Sequence, residues 1–180
     1  MKYKNLNYFQ EFFNLTKSTQ LIKFTNCYLC KDSKLILEDL WIKDGKIQDA
    51  EHLFYIEKVS ADLIIDCDGT IISPGFIDIQ INGGFGYDFS DMSQDIGISL
   101  NVVGKKLVEF GVTGFCPTLV CSTNKLYIQV LSRDYKPSEG NSQVLGFHLE
   151  GPFLSATKCG MHDKELIPND FGEDPIKVRE

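Results

Sequence analysis

The sequence predicts an α/β protein: a small β unit over residues 21–72, followed over 73–180 by the opening strands and helices of a parallel sheet. Three observations carry this. Short β-rich runs separated by turn signals fill the first stretch, strand and helix patterns alternate in the second, and the two rhythms meet at Pro74.

Residues 1–20 read as an N-terminal extension, with one short amphipathic helix through Tyr8, Phe9, Phe12 and Phe13 whose aromatic rings cover a neighbouring surface. From Leu21 the runs LIKFTNCYLC, KLILEDLWIKDGKI and ADLIIDCDGTIISPG are punctuated by Lys31-Asp32-Ser33 and Asp44-Gly45. This suits a small antiparallel β unit. After Pro74, GFIDIQING reads as a buried strand, and DIGISLNVVGKKLVEFG has helical spacing at Ile98, Val102, Lys105 and Val108. VTGFCPTLV is again a strand, TNKLYIQVLSRDY a second helix, and SQVLGFHLE a third strand. Strands alternating with helices make a parallel sheet, either doubly wound or closed into a (β/α)8 barrel. Three strand units are too few to close a barrel, which usually takes about 250 residues, so the chain reads as incomplete for a catalytic fold of that kind.

Composition narrows the function. With 43% hydrophobic and 24% charged residues, the 180-residue chain is globular in type rather than disordered. A net charge of −7 argues against a general attraction to nucleic acid or anionic membrane. No apolar run reaches the roughly 20 residues of a membrane span, and the N-terminal stretch has no signal-peptide pattern. The six cysteines lie mostly inside apolar strand-like runs, as reduced thiols do, which predicts a cytoplasmic setting. Cys27-Tyr-Leu-Cys30 has half the spacing of a zinc site, but no second half follows.

In parallel α/β folds the chemistry sits where strands end. Asp78, Gln80 and Asn82 alternate onto one face before the glycine-rich loop Gly83 to Gly86, which lacks the spacing of a dinucleotide or P-loop fingerprint. Thr118 and Ser122 fit a core strand followed by a helix N-cap at Ser122 or Thr123. His148 and Glu150 alternate onto one face, and Gly151-Pro152 stops their strand. A carboxylate there is costly to bury and useful at a strand end, as a ligand, as an acid or base, or simply as a solvated surface group.

The stretches SPGFIDIQINGGFGYDFS, GVTGFCPTLVCS and GFHLEGPFLSATKCGMH, in this order and spacing, resemble the N-acetylglucosamine-6-phosphate deacetylase family of the amidohydrolase superfamily. The forms HLEGPF and DIQINGGFG look most like its eukaryotic members, and the resemblance runs from about Lys23 to about Ile167. It implies the first strands of a (β/α)8 TIM-type barrel preceded by part of a small β-sandwich. The implied reaction is hydrolysis of N-acetylglucosamine 6-phosphate to glucosamine 6-phosphate and acetate, in amino-sugar catabolism. One divalent metal ion per subunit (zinc, cobalt or manganese) would lower the pKa of bound water and polarise the amide, while a carboxylate moves the proton to the leaving amine. Glu150 matches the family's metal-binding glutamate, and Met161 falls where the family contacts the sugar, with His162 beside it. Where many amidohydrolases carry an HxH pair on the first strand, this sequence has Asp78-Ile-Gln80, which implies a single-metal site and disfavours relatives such as dihydroorotases.

The resemblance also implies two further metal histidines and a catalytic aspartate on later barrel strands, beyond Glu180. Neither His148 nor His162 stands at their positions, and the tail PNDFGEDPIKVRE offers no strand to present an acid. The expectation is an N-terminal portion of a deacetylase, inactive alone and homodimeric when full length. The alternative is a noncatalytic truncated product that binds a full-length subunit or misfolds.

Overall fold

The computed structural model describes residues 2–5, 19–136 and 138–167. The helix expected through Tyr8 to Phe13 and the tail from 168 lie outside the described residues. The chain divides into two compact units, Met1–Pro74 and Gly75–Glu180.

The first unit holds two sheets. One has the order β1 (Lys2–Asn5), β7 (Leu63–Asp66), β2 (Ile22–Thr25), β5 (Leu40–Lys43) and β6 (Lys46–Gln48). The other runs β4 (Lys34–Leu37), β3 (Tyr28–Lys31) and β8 (Ile71–Ile72). Two-residue loops close β3 on β4 and β5 on β6, with Asp32, Ser33, Asp44 and Gly45 all at positive φ, the handedness that matches strand twist. The unit is not wholly antiparallel as expected, because β7 lies parallel to β1 and to β2, and β8 parallel to β3. Ile22, Phe24, Cys27, Leu29, Leu63, Ile65 and Cys67 form one core, while Leu21, Trp41, Leu53, Ala61 and Ile64 form another. Leu53 comes from a π-helical turn, His52–Glu57, that the strand-like pattern did not predict.

Cys27 and Cys67 are buried, with their thiols donating to backbone carbonyls, Cys27 to Glu38 and Cys67 to Ile65, while Cys30 is exposed. The CxxC spacing therefore does not bring Cys27 and Cys30 into one environment. Burial pushes the Cys67 thiol up to about 11.

The second unit is built on β12 (Val112–Val120), which is parallel to β9 (Phe76–Ile81) on one side and to β13 (Gln143–Val144) and β14 (His148–Glu150) on the other. Between β9 and β12 come a short hairpin, β10 (Gly83–Gly84) with β11 (Tyr87–Asp88), and helix α1 (Ile96–Val108). Helix α2 (Asn124–Leu131) follows β12. The side chains of Asp95 and Thr123 cap the two helices by accepting the Ile98 and Leu126 amides, so Thr123 rather than Ser122 is the N-cap. Leu100, Val103 and Leu107 of α1 and Leu126 and Val130 of α2 pack with Phe115 and Leu119 of β12. The third strand is interrupted, its two pieces joined by 145–147.

One expectation is overturned. The strand GFIDIQING is not buried: Phe76, Ile77 and Ile79 are 69%, 61% and 70% exposed. Strand side chains stand out from the faces of the sheet, and none of these three joins a core cluster among the described residues. Phe115→Ala, at a site with no exposure, is expected to cost about 3–5 kcal/mol, whereas Ile79→Ala is expected to stay within about 0.5 kcal/mol. Urea denaturation of the two variants checks the contrast, and equal losses would show that β9 is covered in solution.

Candidate functional site

Glu150 ends β14 at the carboxyl end of the parallel sheet, with its side chain 34% exposed. Its Oε2 accepts hydrogen bonds from Asn82 Nδ2 at 3.1 Å and from Gln80 Nε2 at 3.3 Å. His162 Nε2 stands 3.5 Å from Oε1. The two amides reach it because β9 and β14 flank β12, so their ends lie on the same side of the sheet. Asp78, two residues deeper, makes no contact with Glu150 and instead accepts the Gln80 amide N–H. The pair facing the glutamate is thus Gln80 and Asn82 rather than Asp78 and Gln80, because the side chains nearest the strand end are the ones that reach its carboxylate.

His162 is set by the loop that follows Glu150. Its Nδ1 accepts the Cys121 amide N–H at 3.2 Å, which leaves the ring proton on Nε2, toward Glu150. Cys121, Cys159 and Ile167 pack together beneath this loop, and the Cys121 thiol donates to the Pro152 and Leu166 carbonyls. Gly151 turns the chain at φ 112, and a Cβ there would meet Cys121 Sγ at 3.2 Å. Met161, next to His162, is fully exposed.

The end of β12 is closed by side chains that the sequence reading did not single out. Ser90 Oγ accepts the Val120 N–H, while Tyr127 donates its hydroxyl to the Val120 carbonyl and accepts the Ser122 N–H. Burial raises the Tyr127 phenol above its ordinary value, which keeps it a donor. Tyr127 sits four residues after the N-cap Thr123, a spacing that points it back over the strand end. Thr118 is wholly buried, as a core residue.

The hydrogen bond from Asn82 is the largest influence holding the Glu150 carboxyl below the usual glutamate range, with His162 and Gln80 adding to it against a smaller opposing effect of burial. The carboxylate thus faces two side-chain amides on one oxygen and the His162 ring on the other. Among the described residues, no three His, Cys, Asp or Glu side chains converge as a metal site would require.

No family model matches the chain. Curated relatives do. It is 47% identical to a human N-acetylglucosamine-6-phosphate deacetylase over 145 residues, covering 79% of this chain and 36% of the relative. To the Caenorhabditis elegans protein of that name it is 41% identical over 169 residues, covering 91% of this chain and 40% of the relative. The chain is homologous to part of the N-acetylglucosamine-6-phosphate deacetylases. It spans little more than a third of the length of the human relative. The fold agrees: the deacetylase from Pasteurella multocida superposes with a TM-score of 0.65 at 24% identity, over 88% of this chain and 41% of that one. A single-site mutant of the deacetylase from Mycobacterium smegmatis, solved in complex with N-acetyl-D-glucosamine-6-phosphate, gives 0.59 at 21% identity, over 90% and 39%.

Because the Glu150 carboxyl is lowered in the folded chain, it contributes stability above the unfolded value, and this is lost as pH falls through the lowered one. Asn82→Leu removes the first cause and is expected to move the carboxyl up toward the ordinary glutamate value. A carbon-13 titration of the side-chain carboxyl checks this, and an unmoved midpoint would mean that Asn82 is not what holds it.

Proposed function

We propose that the chain supplies the Glu150 side of a deacetylase site acting on N-acetylglucosamine 6-phosphate, giving glucosamine 6-phosphate and acetate. The observation that carries the reading is the placing of Glu150 at the carboxyl end of a parallel strand, with Asn82, Gln80 and His162 on its two oxygens. The relatives' names and the sugar phosphate bound to the M. smegmatis protein support the substrate.

In this reading the second unit forms the first strands of a TIM-type barrel, and residues 21–72 are part of a β-sandwich. Glu150 is one ligand of a divalent metal ion. A catalytic site of that kind takes about three protein ligands, so the described residues do not form a metal centre by themselves. What they do is hold one carboxylate ionised and oriented: two amides grip Oε2, leaving Oε1 beside the His162 N–H. Met161 and His162 would meet the sugar, Met161 through its backbone. A cytoplasmic, homodimeric whole protein completes the proposal. No helix among the described residues is long and apolar enough to cross a membrane.

The exposed face and free edge of β9 favour a second reading, in which the chain docks noncatalytically on a full-length subunit. Both readings expect the chain alone to be inactive, and turnover in a chimera against co-purification with a full-length subunit separates them. The purified chain, supplied with zinc, cobalt or manganese, is expected to release no acetate from N-acetylglucosamine 6-phosphate. Joined to the complementary segment of the human relative, it is expected to bind metal and turn over. Replacing an outer partner of a metal ligand costs about 10–100-fold, so Glu150→Gln in that chimera should exceed 100-fold and strip the metal. A chimera that hydrolyses normally with Glu150→Gln would sink the ligand assignment. Stable co-purification of the short chain with a full-length subunit, without turnover in the chimera, would favour docking.

A further inference from the structure

The peptide group between Ile79 and Gln80 stands outside the β9–β12 ladder. Phe115 pairs with Asp78 and Pro117 with Ile81, so a single residue of β12, Cys116, faces both Ile79 and Gln80. This is a β-bulge, which takes a residue out of strand pairing and re-aims the side chains around it. Pro117 has no amide hydrogen to offer across the gap. The group lies on an exposed stretch of β9, where water could serve it, yet both of its ends are taken by side chains. Asp78 Oδ1 accepts the Gln80 N–H at 3.1 Å, and His148 Nδ1 lies 3.0 Å from the Ile79 carbonyl oxygen. A carbonyl only accepts, so the His148 ring proton is on Nδ1.

We propose that Asp78 and His148 are positioning residues that clamp the Ile79–Gln80 peptide group from its two ends, and that the clamped bulge aims Gln80 and Asn82 at Glu150. Gln80 is the second residue of the bulge and Asn82 follows two positions later, and both donate to the same oxygen of Glu150. His148 and Glu150 lie two residues apart on β14, so one strand carries both the clamp and the carboxylate. A slip of β14 along β12 breaks both contacts together, which ties the register of three strands to the geometry of one carboxylate. The clamp explains two polar groups, Asp78 and His148, that make no contact with Glu150. It stands independently of the hydrolytic reading, since ring tautomers and amide signals report on it without substrate or metal.

Nitrogen-15 spectra of the intact 180-residue chain, recorded above the ordinary imidazole titration range, test it first. His148 is expected as the Nδ1–H tautomer and His162 as the Nε2–H tautomer, and a proton on Nε2 of His148 would overturn the clamp. Variants test it second. His148→Asn places a donor near the position of Nδ1, whereas His148→Leu keeps bulk without a donor. The Gln80 and Asn82 side-chain amide signals are expected to hold their positions in the Asn variant and move to solvent-exposed values in the Leu variant. Unmoved signals in the Leu variant, or equal movement in both, would overturn the proposal. Asp78→Ala is expected to speed exchange of the Gln80 backbone amide by about tenfold or more, and unchanged exchange would remove Asp78 from it. Should the Leu variant fail to fold, the wild-type tautomer and the Asn variant still decide.

Discussion

Val112–Val120 is hydrogen-bonded along both edges, to Phe76–Ile81 on one side and to Gln143–Val144 and His148–Glu150 on the other, and it packs against both helices. Gln80 and Asn82 come from one neighbour of β12 and Glu150 from the other, two strands that do not pair with each other. The spacing between those strands is therefore set through β12. That is why its closing end is finished with such care: Ser90 and Tyr127 take up the last amide and carbonyl, the Cys121 amide orients His162, and Thr123 starts the next helix. Strand pairing in the middle becomes side-chain geometry at the end.

The carboxylate itself shows how such a group is held in its charged form when, among the described residues, its ion-pair partner is a histidine rather than a lysine or arginine. Neutral amide donors favour the ionised form while adding no net charge. The arrangement leaves one oxygen facing a ring N–H and the other gripped twice. It is directional in a way that a single ammonium partner is not, and direction is what a metal ligand or proton carrier needs from its surroundings.

Much of this was legible in the sequence, for identifiable reasons. The strand end at Glu150 follows from an apolar run stopped by Gly151-Pro152, and the alternation of Gln80 with Asn82 follows from strand periodicity. The type of each helix was legible too, but not the buried face of the first: the spacing at Ile98, Val102, Lys105 and Val108 is helical, yet Ile98 and Lys105 are exposed and it is Leu100, Val103 and Leu107 that meet the core. What stayed hidden depends on contacts distant in sequence. The exposure of β9 reflects what packs on its faces, and its apolar pattern is the same whether or not a neighbour covers it. The parallel placement of β7 beside β1 and β2 cannot be read from hairpin signals, which speak only of adjacent strands. The bulge at Ile79–Gln80 left one trace, a proline inside a core strand at Pro117, which marks where a ladder is irregular without saying which side chains repair it.

The distribution of thiols gives the chain an uneven chemistry toward electrophiles. Cys27, Cys67, Cys121 and Cys159 are buried, and burial raises Cys27, Cys67 and Cys121, so little nucleophilic thiolate is presented where a reagent would meet it. Cys30 is exposed and Cys116 half-buried. The folded chain thus carries a natural attachment point for a dye or spin label at Cys30 on β3, obtained without engineering. The remaining buried thiols become a clock: since two lie in each unit, the order in which they take up an alkylating agent reports which unit opens first.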